Sequence, residues 1–145
     1  MRIEDIAEAD FIPLTTILRA HAARRGDAIA IADEHASVSW AELDALLDRV
    51  AAALQREGVG KDEPVAIAAL NSVRTGLAFL GAIRAGAVAA PLTSTAAPET
   101  VLAMLADSGS RVLLLDAEMA DRLAGLPFPA GVRRIALDDS AAGEP

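Results

Sequence analysis

The sequence has no cysteine, a single lysine (Lys61), two histidines and only 3% aromatic residues. Without thiols there is neither a disulfide framework nor a thiolate metal site, a composition that suits a reducing compartment. Basic residues are scarce relative to acidic ones, giving a formal net charge of -8 and an isoelectric point near 4.6. Such a surface repels phosphate backbones and anionic lipid, so neither nucleic acid nor a membrane is an expected partner. No apolar run reaches the ~18 residues of a membrane span. The opening Met1-Arg2-Ile3-Glu4-Asp5 places acids where a signal peptide needs a basic and then an apolar stretch. The expectation is a soluble, cytoplasmic chain.

What is present is aliphatic. A chain of 145 residues with 53% hydrophobic content fits one domain, burying roughly 70% of its extended surface. With few rings, alanine, leucine and valine must fill the core. Leu14 to Arg25 reads as a first helix, with Ile17, Leu18, His21 and Ala22 on one face and Gly26 placed to end it. Ala28 to Asp33 and Ala36 to Ser39 read as a hairpin. Ser39-Trp40-Ala41-Glu42 has capping-box spacing and opens a helix striped by Leu43, Leu46, Leu47, Val50 and Leu54. Asp44, Asp48, Arg49 and Arg56 are assigned to its water face, and Gly58 to its end.

Val65 to Leu70 is apolar throughout and reads as a strand buried on both sides. Asn71 or Ser72 then caps a helix running to about Ala85, with Leu77, Leu80 and Ile83 as core residues and Gly76 and Gly81 allowing close approach to a sheet. Ala87 to Leu92 is read as another buried strand, Pro98 to Asp107 as a helix and Arg111 to Leu115 as a strand. Asp116 caps a short helix to Leu123, and Val132 to Leu137 is a last strand. The pattern predicts an α/β fold, a mostly parallel sheet with helices on both faces plus an N-terminal hairpin. It divides the chain into residues 1–137, one α/β unit, and 138–145, a linker-like tail.

The same residues contain no reactive constellation. Gly76 and Gly81 have phosphate-loop spacing, but Ala82-Ile83 replaces the lysine-hydroxyl pair that would meet phosphate and magnesium. Gly58-Val59-Gly60 follows a helix rather than a strand, and Glu63 stands at the third glycine position of a dinucleotide fingerprint. His21 and His35 have no ligand-like spacing; His21 reads as a satisfied, partly buried histidine. No serine lies in a nucleophile elbow. Asp33, Asp116 and the Asp138-Asp139 pair suggest a phospho-acceptor site, but no lysine sits at a late strand end, and these acids read as caps and turns. Arg74 and Arg84 read as solvent-facing or paired with neighbouring acids. No catalytic residue and no metal ligand is assigned.

Order is more informative than chemistry. Ala28-Ile29-Ala30-Ile31-Ala32-Asp33, Ser37-Val38-Ser39-Trp40-Ala41-Glu42-Leu43-Asp44, and Val50 to Leu54 followed by Gly58-Val59-Gly60 resemble the opening of adenylate-forming enzymes, the acyl-CoA synthetase superfamily. Val65-Ala66-Ile67, Asn71-Ser72, Phe79-Leu80-Gly81-Ala82-Ile83-Arg84-Ala85-Gly86-Ala87-Val88 and Pro91-Leu92 are similar to the next signature block. Asp107 to Leu113 resembles the element after it. The likeness covers Leu14 to Asp116. Leu70 departs from the usual proline before the asparagine, and Thr93-Ser94 from the usual asparagine-proline. The run Pro91-Leu92-Thr93-Ser94-Thr95 is most similar to bacterial aryl-acid ligases of the feruloyl-CoA synthetase type.

The resemblance implies the N-terminal part of an ATP-dependent acid-CoA ligase, which activates an aryl or fatty carboxylic acid as an acyl-adenylate and transfers it to coenzyme A. ATP, Mg2+ and coenzyme A are implied for a full-length enzyme, with a carrier-protein thiol as the other acceptor, and none of them is expected to bind this segment alone. The phosphate loop, ribose aspartate and catalytic lysine of the family belong downstream; Lys61 does not correspond to the lysine. The implied partners are the C-terminal portions of the same enzyme, and an exposed apolar patch is expected to promote self-association. The alternative is a self-contained α/β module that binds a small ligand or a protein at its strand ends. Asn71, Thr93, Ser94 and Thr95 are the candidate contact residues for it, against their plainer reading as a helix cap and a polar loop.

Overall fold

Helix α1 (Leu14–Arg25) leads into a hairpin of β1 (Ile29–Ala32) and β2 (Ser37–Ser39), and β2 runs directly into α2 (Trp40–Arg56). Alternation of strand and helix follows: β3 (Pro64–Ala68), α3 (Val73–Arg84), β4 (Val88–Pro91), α4 (Pro98–Ser108), β5 (Val112–Leu115), α5 (Ala117–Leu123) and β6 (Arg133–Ala136). These are elements of a computed structural model that describes residues 11–138. Asp139 and the rest of the expected tail lie outside the described residues.

The hairpin is antiparallel, and β3 to β6 form one parallel sheet in the order β4-β3-β5-β6. Period-two alternation deals the strand side chains to opposite faces. Val65, Ile67, Val112 and Leu114 meet Leu54 of α2 and Ala78 and Ala82 of α3 on one face. Ala66, Ala68, Leu113 and Leu115 meet Val101, Leu102 and Leu105 of α4 and Met119 and Leu123 of α5 on the other. This is the expected α/β sheet covered on both sides. A third cluster joins Leu18, Val38, Leu43, Leu47 and Val73, and seats α1 and the hairpin against α2 and α3.

Both ends of α2 are fixed by the residues the sequence supplies. The Glu42 N–H donates to Ser39 Oγ at 3.3 Å and the Ser39 N–H to Glu42 Oε2 at 2.8 Å, closing the capping box. At the other end Gly58, with φ of 82°, turns the chain so that the Val59 N–H reaches the Leu54 carbonyl at 3.0 Å. Val59 and Leu54 then pack in the same core cluster, the apolar contact that accompanies this helix stop.

Several packing details differ from the sequence reading. In α3 the buried positions are Val73, Ala78, Gly81 and Ala82, while Leu77, Leu80 and Ile83 are half-buried. The reason is proximity: α3 lies so close to α2 that small residues occupy the contact. A Cβ on Gly81 would stand 2.7 Å from Val50 Cβ and nearer still to its Cγ1, so the close approach is between helices rather than onto the sheet. Gly76 faces Ile31 of the hairpin. Strand β4 is not buried on both sides; it is an edge strand, and Val88 is 49% exposed. Leu70 lies beyond the end of β3 and is exposed. Ser72, not Asn71, caps α3 through the Thr75 N–H at 3.1 Å. Gly26 follows α1 with right-handed φ, and a Cβ there would meet the Ala22 carbonyl at 2.9 Å.

Asp44 and Asp48 do not simply face water. Arg84 of α3, whose side chain is 5% exposed, donates to Asp44 Oδ1 and Asp48 Oδ1 at 2.6 Å each, and Arg19 of α1 reaches Asp48 at 3.3 Å. Burial opposes the Arg84 charge, but the two carboxylates more than offset it and raise its affinity for the proton. Asp48 is held below the usual carboxylate range, chiefly by its hydrogen bond from Arg84. The buried Arg84 thus ties α3 to α2, and the exposed Arg19 adds α1 to the same pair of carboxylates.

Gly81→Ala should lower stability by about 1–2 kcal/mol in urea unfolding, because overpacking costs about 1–3 kcal/mol and exceeds the roughly 1 kcal/mol alanine gains in a helix. The same change in a Val50→Ala background should cost clearly less, and equal costs in both backgrounds would place the clash elsewhere.

Candidate functional site

An open parallel sheet offers a ligand crevice at the carboxyl ends of its strands, where the strand order reverses. From β3 the chain crosses to β4 on one side and returns through α4 to β5 on the other, so the reversal lies between β3 and β5. A cleft of about 390 Å³ opens at this end, lined among others by Asp33, His35, Ser72, Thr75, Asp116 and Asp138.

Each acid in the cleft receives backbone N–H groups. Asp33, just after β1, accepts from His35 and Ala36 through Oδ1 at 2.8 Å each and from Val73 through Oδ2 at 2.7 Å. One carboxylate therefore closes the hairpin turn and also serves the first residue of α3. The Val73 hydrogen bond, then those of His35 and Ala36, hold Asp33 below the usual carboxylate range. Asp116, just after β5, accepts from Met119 at 2.9 Å and so caps α5, and its other oxygen accepts from Leu70 at 2.7 Å. That second bond spans the reversal point. Asp138 Oδ2 takes the Ala117 N–H at 3.0 Å. Thr75 Oγ1 donates to the Leu70 carbonyl at 2.6 Å, fixing the loop between β3 and α3 from the other side.

The sequence reading of these acids as caps and turns holds, but it missed that all three also bond across the fold, Asp33 to Val73, Asp116 to Leu70 and Asp138 to Ala117. The signal for Asp116 was its place before a short helix. Nothing local to Asp33 points to Val73, forty positions away. Arg74 is exposed at the cleft, and His35 is 84% exposed beside Glu34. His21 is not a satisfied histidine: its ring lies 4.6 Å from that of Trp40, and its buried Nδ1 has no hydrogen-bond partner among the described residues.

The four contact candidates fall outside the cleft lining. Asn71 is exposed in the loop after β3, and Thr93, Ser94 and Thr95 follow β4 at the same end of the sheet. The 93–96 loop is held through its backbone: Arg122 of α5 donates to the carbonyls of Ser94 and Ala96. Lys61 lies in the loop before β3 at the opposite end, 86% exposed. A second cleft at that end, about 210 Å³, is bordered by the ion pairs Arg111 to Glu63 and Arg133 to Glu57. Among the described residues no three His, Cys, Asp or Glu side chains are grouped to hold a metal ion.

Fold and site together define an α/β scaffold whose strand-end polar groups are occupied by its own backbone. The family model for the AMP-binding enzyme matches residues 18–143, and the chain belongs to that family. It is 38% identical over 131 residues to the 3-hydroxybenzoate--CoA ligase of Aromatoleum sp. (strain CIB), a match covering 82% of this chain and 25% of that enzyme. It is also 32% identical over 123 residues to a dimodular nonribosomal peptide synthase of Bacillus subtilis (strain 168), covering 85% of this chain and 5% of that protein. The solved N-terminal domain of FACL13 from Mycobacterium tuberculosis superposes with a TM-score of 0.79 at 30% identity, over 93% of this chain and 37% of that one. This chain thus spans about a quarter of the curated ligase it matches.

The residues of this cleft do not suit a magnesium-bound triphosphate: its carboxylates would repel the phosphates, the N–H groups of Val73 and Thr75 in α3 and of Ala117 and Met119 in α5 are already bonded to Asp33, Ser72, Asp138 and Asp116, and among the described residues no three His, Cys, Asp or Glu side chains are grouped to hold a metal ion.

Two outcomes test this geometry. Asp116→Ala removes a helix cap and a partner of the Leu70 N–H, and should cost about 2 kcal/mol in denaturant unfolding. Asp33 has a lowered folded value, so its contribution is present above the unfolded carboxyl value near ~3.9 and is lost as pH falls through the lower folded one. Stability measured against pH should therefore fall less steeply below about pH 4 in Asp33→Asn than in the parent; parallel curves would show that the three N–H bonds do not favour the charged form.

Proposed function

We propose that this chain is the N-terminal part of an ATP-dependent acid-CoA ligase, with residues 1–137 as its α/β unit and 138–145 as the link onward. The observation that carries the reading is the match to AMP-binding enzymes over residues 18–143 together with a quarter-length match to a 3-hydroxybenzoate--CoA ligase. The whole enzyme forms an acyl-adenylate from an aryl acid and ATP with Mg2+, then passes the acyl group to coenzyme A, in the cytoplasm. Adenylation replaces a poor leaving group with AMP, and the charge that develops on phosphate is met by cationic groups and metal supplied by the rest of the polypeptide.

In this reading the chain's own contribution is support. It holds β3 and β5 in register and fixes the loops at their carboxyl ends, where Asn71 and Thr93 to Thr95 are its nearest candidates for substrate contact. The apolar surface of Phe11, Ile12, Leu14 and Ile17 favours self-association of the isolated chain.

ATP-pyrophosphate exchange across a panel of hydroxybenzoates and fatty acids tests the proposal. The expected result is no exchange by this chain alone and acid-dependent exchange by the full-length polypeptide that carries it. Exchange by the purified short chain, or none by the long one, would overturn the reading.

A further inference from the structure

Arg19, Arg84, Arg111 and Arg133 each meet a carboxylate. Arg122, in the last turn of α5, does not: among the described residues no acid pairs with it. Its half-buried guanidinium donates instead through Nη1 to the Ser94 carbonyl and through Nη2 to the Ala96 carbonyl at 2.7 Å, and Nη1 lies 3.3 Å from Sδ of the buried Met119. A planar fork that takes two carbonyls of one loop fixes their separation as well as their direction, which a point charge on a flexible stem does not.

The loop so held has few other ties. Leu92 is buried just before it, and Ala96 packs against the same cluster on the α4 and α5 side of the sheet. Within the loop the Ala96 N–H donates to the Thr93 carbonyl at 3.1 Å, and Ala97, the residue before α4, offers no side-chain cap. Exposure alternates along it: Ser94 and Ala96, whose carbonyls Arg122 takes, are half-buried, while Thr93 and Thr95 are exposed. These two threonines follow β4 at the carboxyl end of the sheet, the end where open sheets meet ligands. Ser94 is also the position that departs from the usual proline. Proline would set φ by itself; serine leaves the turn free, and the guanidinium supplies from another helix the stiffness that the residue lacks.

We infer that Arg122 is a positioning residue of the ligase: by gripping the carbonyls of Ser94 and Ala96 it keeps the 93–96 loop in the shape in which Thr93 and Thr95 present their hydroxyls to substrate. The inference rests on the ligase reading. Arg122 itself is not a contact residue, because both of its Nη groups are turned into the backbone of the loop.

Steady-state thioester formation by the full-length polypeptide, read together with amide exchange over the loop, tests the inference. Arg122→Gln should raise KM for at least one of the acid, MgATP and coenzyme A about tenfold while kcat stays within about twofold, and the loop amides should exchange about tenfold faster. Adding Ser94→Pro to Arg122→Gln should bring both readouts back toward the parent, since proline restores by its own ring what the guanidinium held. If Arg122→Gln does not fold, Arg122→Lys, which keeps the charge but reaches one carbonyl, should show a smaller rise in the same KM. Unchanged KM values for all three substrates would overturn the inference, as would a fall in kcat alone that tracks a lower thermal midpoint. So would a double variant in which Ser94→Pro slows the loop amides without restoring KM. Pyrophosphate exchange by the parent polypeptide separates the two readings: exchange with KM values that Arg122→Gln does not move sinks the positioning role alone, and loop amides made fast by Arg122→Gln in a parent that shows no exchange sink the ligase reading alone.

Discussion

Strand β3 has no side that meets water. Val65, Ala66, Ile67 and Ala68 are each 2% exposed or less, and a parallel strand in that position needs a hydrogen-bonded neighbour on both edges and a helix layer on both faces. The rest of the chain answers that requirement. Alanines at 66 and 68 leave room for α4 on one face, while Val65 and Ile67 fill the space under α2 and α3 on the other. The scarcity of aromatic residues is tolerated because the layers approach closely over alanine and glycine rather than over rings.

A sheet buried in this way gathers its loose peptide groups at the strand ends. At the carboxyl ends three aspartates gather them up: Asp33, Asp116 and Asp138 accept N–H groups from loops and helix starts that are distant in sequence. Asp116 joins the two strands that flank the reversal point, where an α/β enzyme of another kind would hold its ligand. The acids therefore do the work of fixing the loops, and the position that invites chemistry is taken by architecture. Arg84 plays the matching part among the helices, where its buried guanidinium is shared between Asp44 and Asp48.

Much of this was legible in the residues. The capping box at Ser39 and Glu42, the helix stop at Gly58, the cap at Asp116 and the buried strands β3 and β5 are local signals and stand close to where the spacing puts them, while of the two residues read as able to cap α3 it is Ser72 that does so. Burial within α3 was not legible, because Leu77 and Leu80 look like core residues until a second helix is placed against Gly81. The edge position of β4 was likewise hidden: its composition is that of a buried strand, and only the crossover order puts it at the margin. Arg84 and its acids, and Asp33 with Val73, are long-range pairs with no signature in sequence spacing. Family membership was legible through motif order, which survives substitutions that blur composition.

The central claim is that this chain supplies architecture and leaves nucleotide chemistry to other residues. Amide chemical shifts recorded during titration with MgATP test it most directly, because the Leu70, Val73, Ala117 and Met119 N–H groups report on the carboxylates of the crevice. The account predicts that these four resonances do not move. Saturable shifts centred on them would mean that the crevice binds nucleotide itself, and would contradict the account.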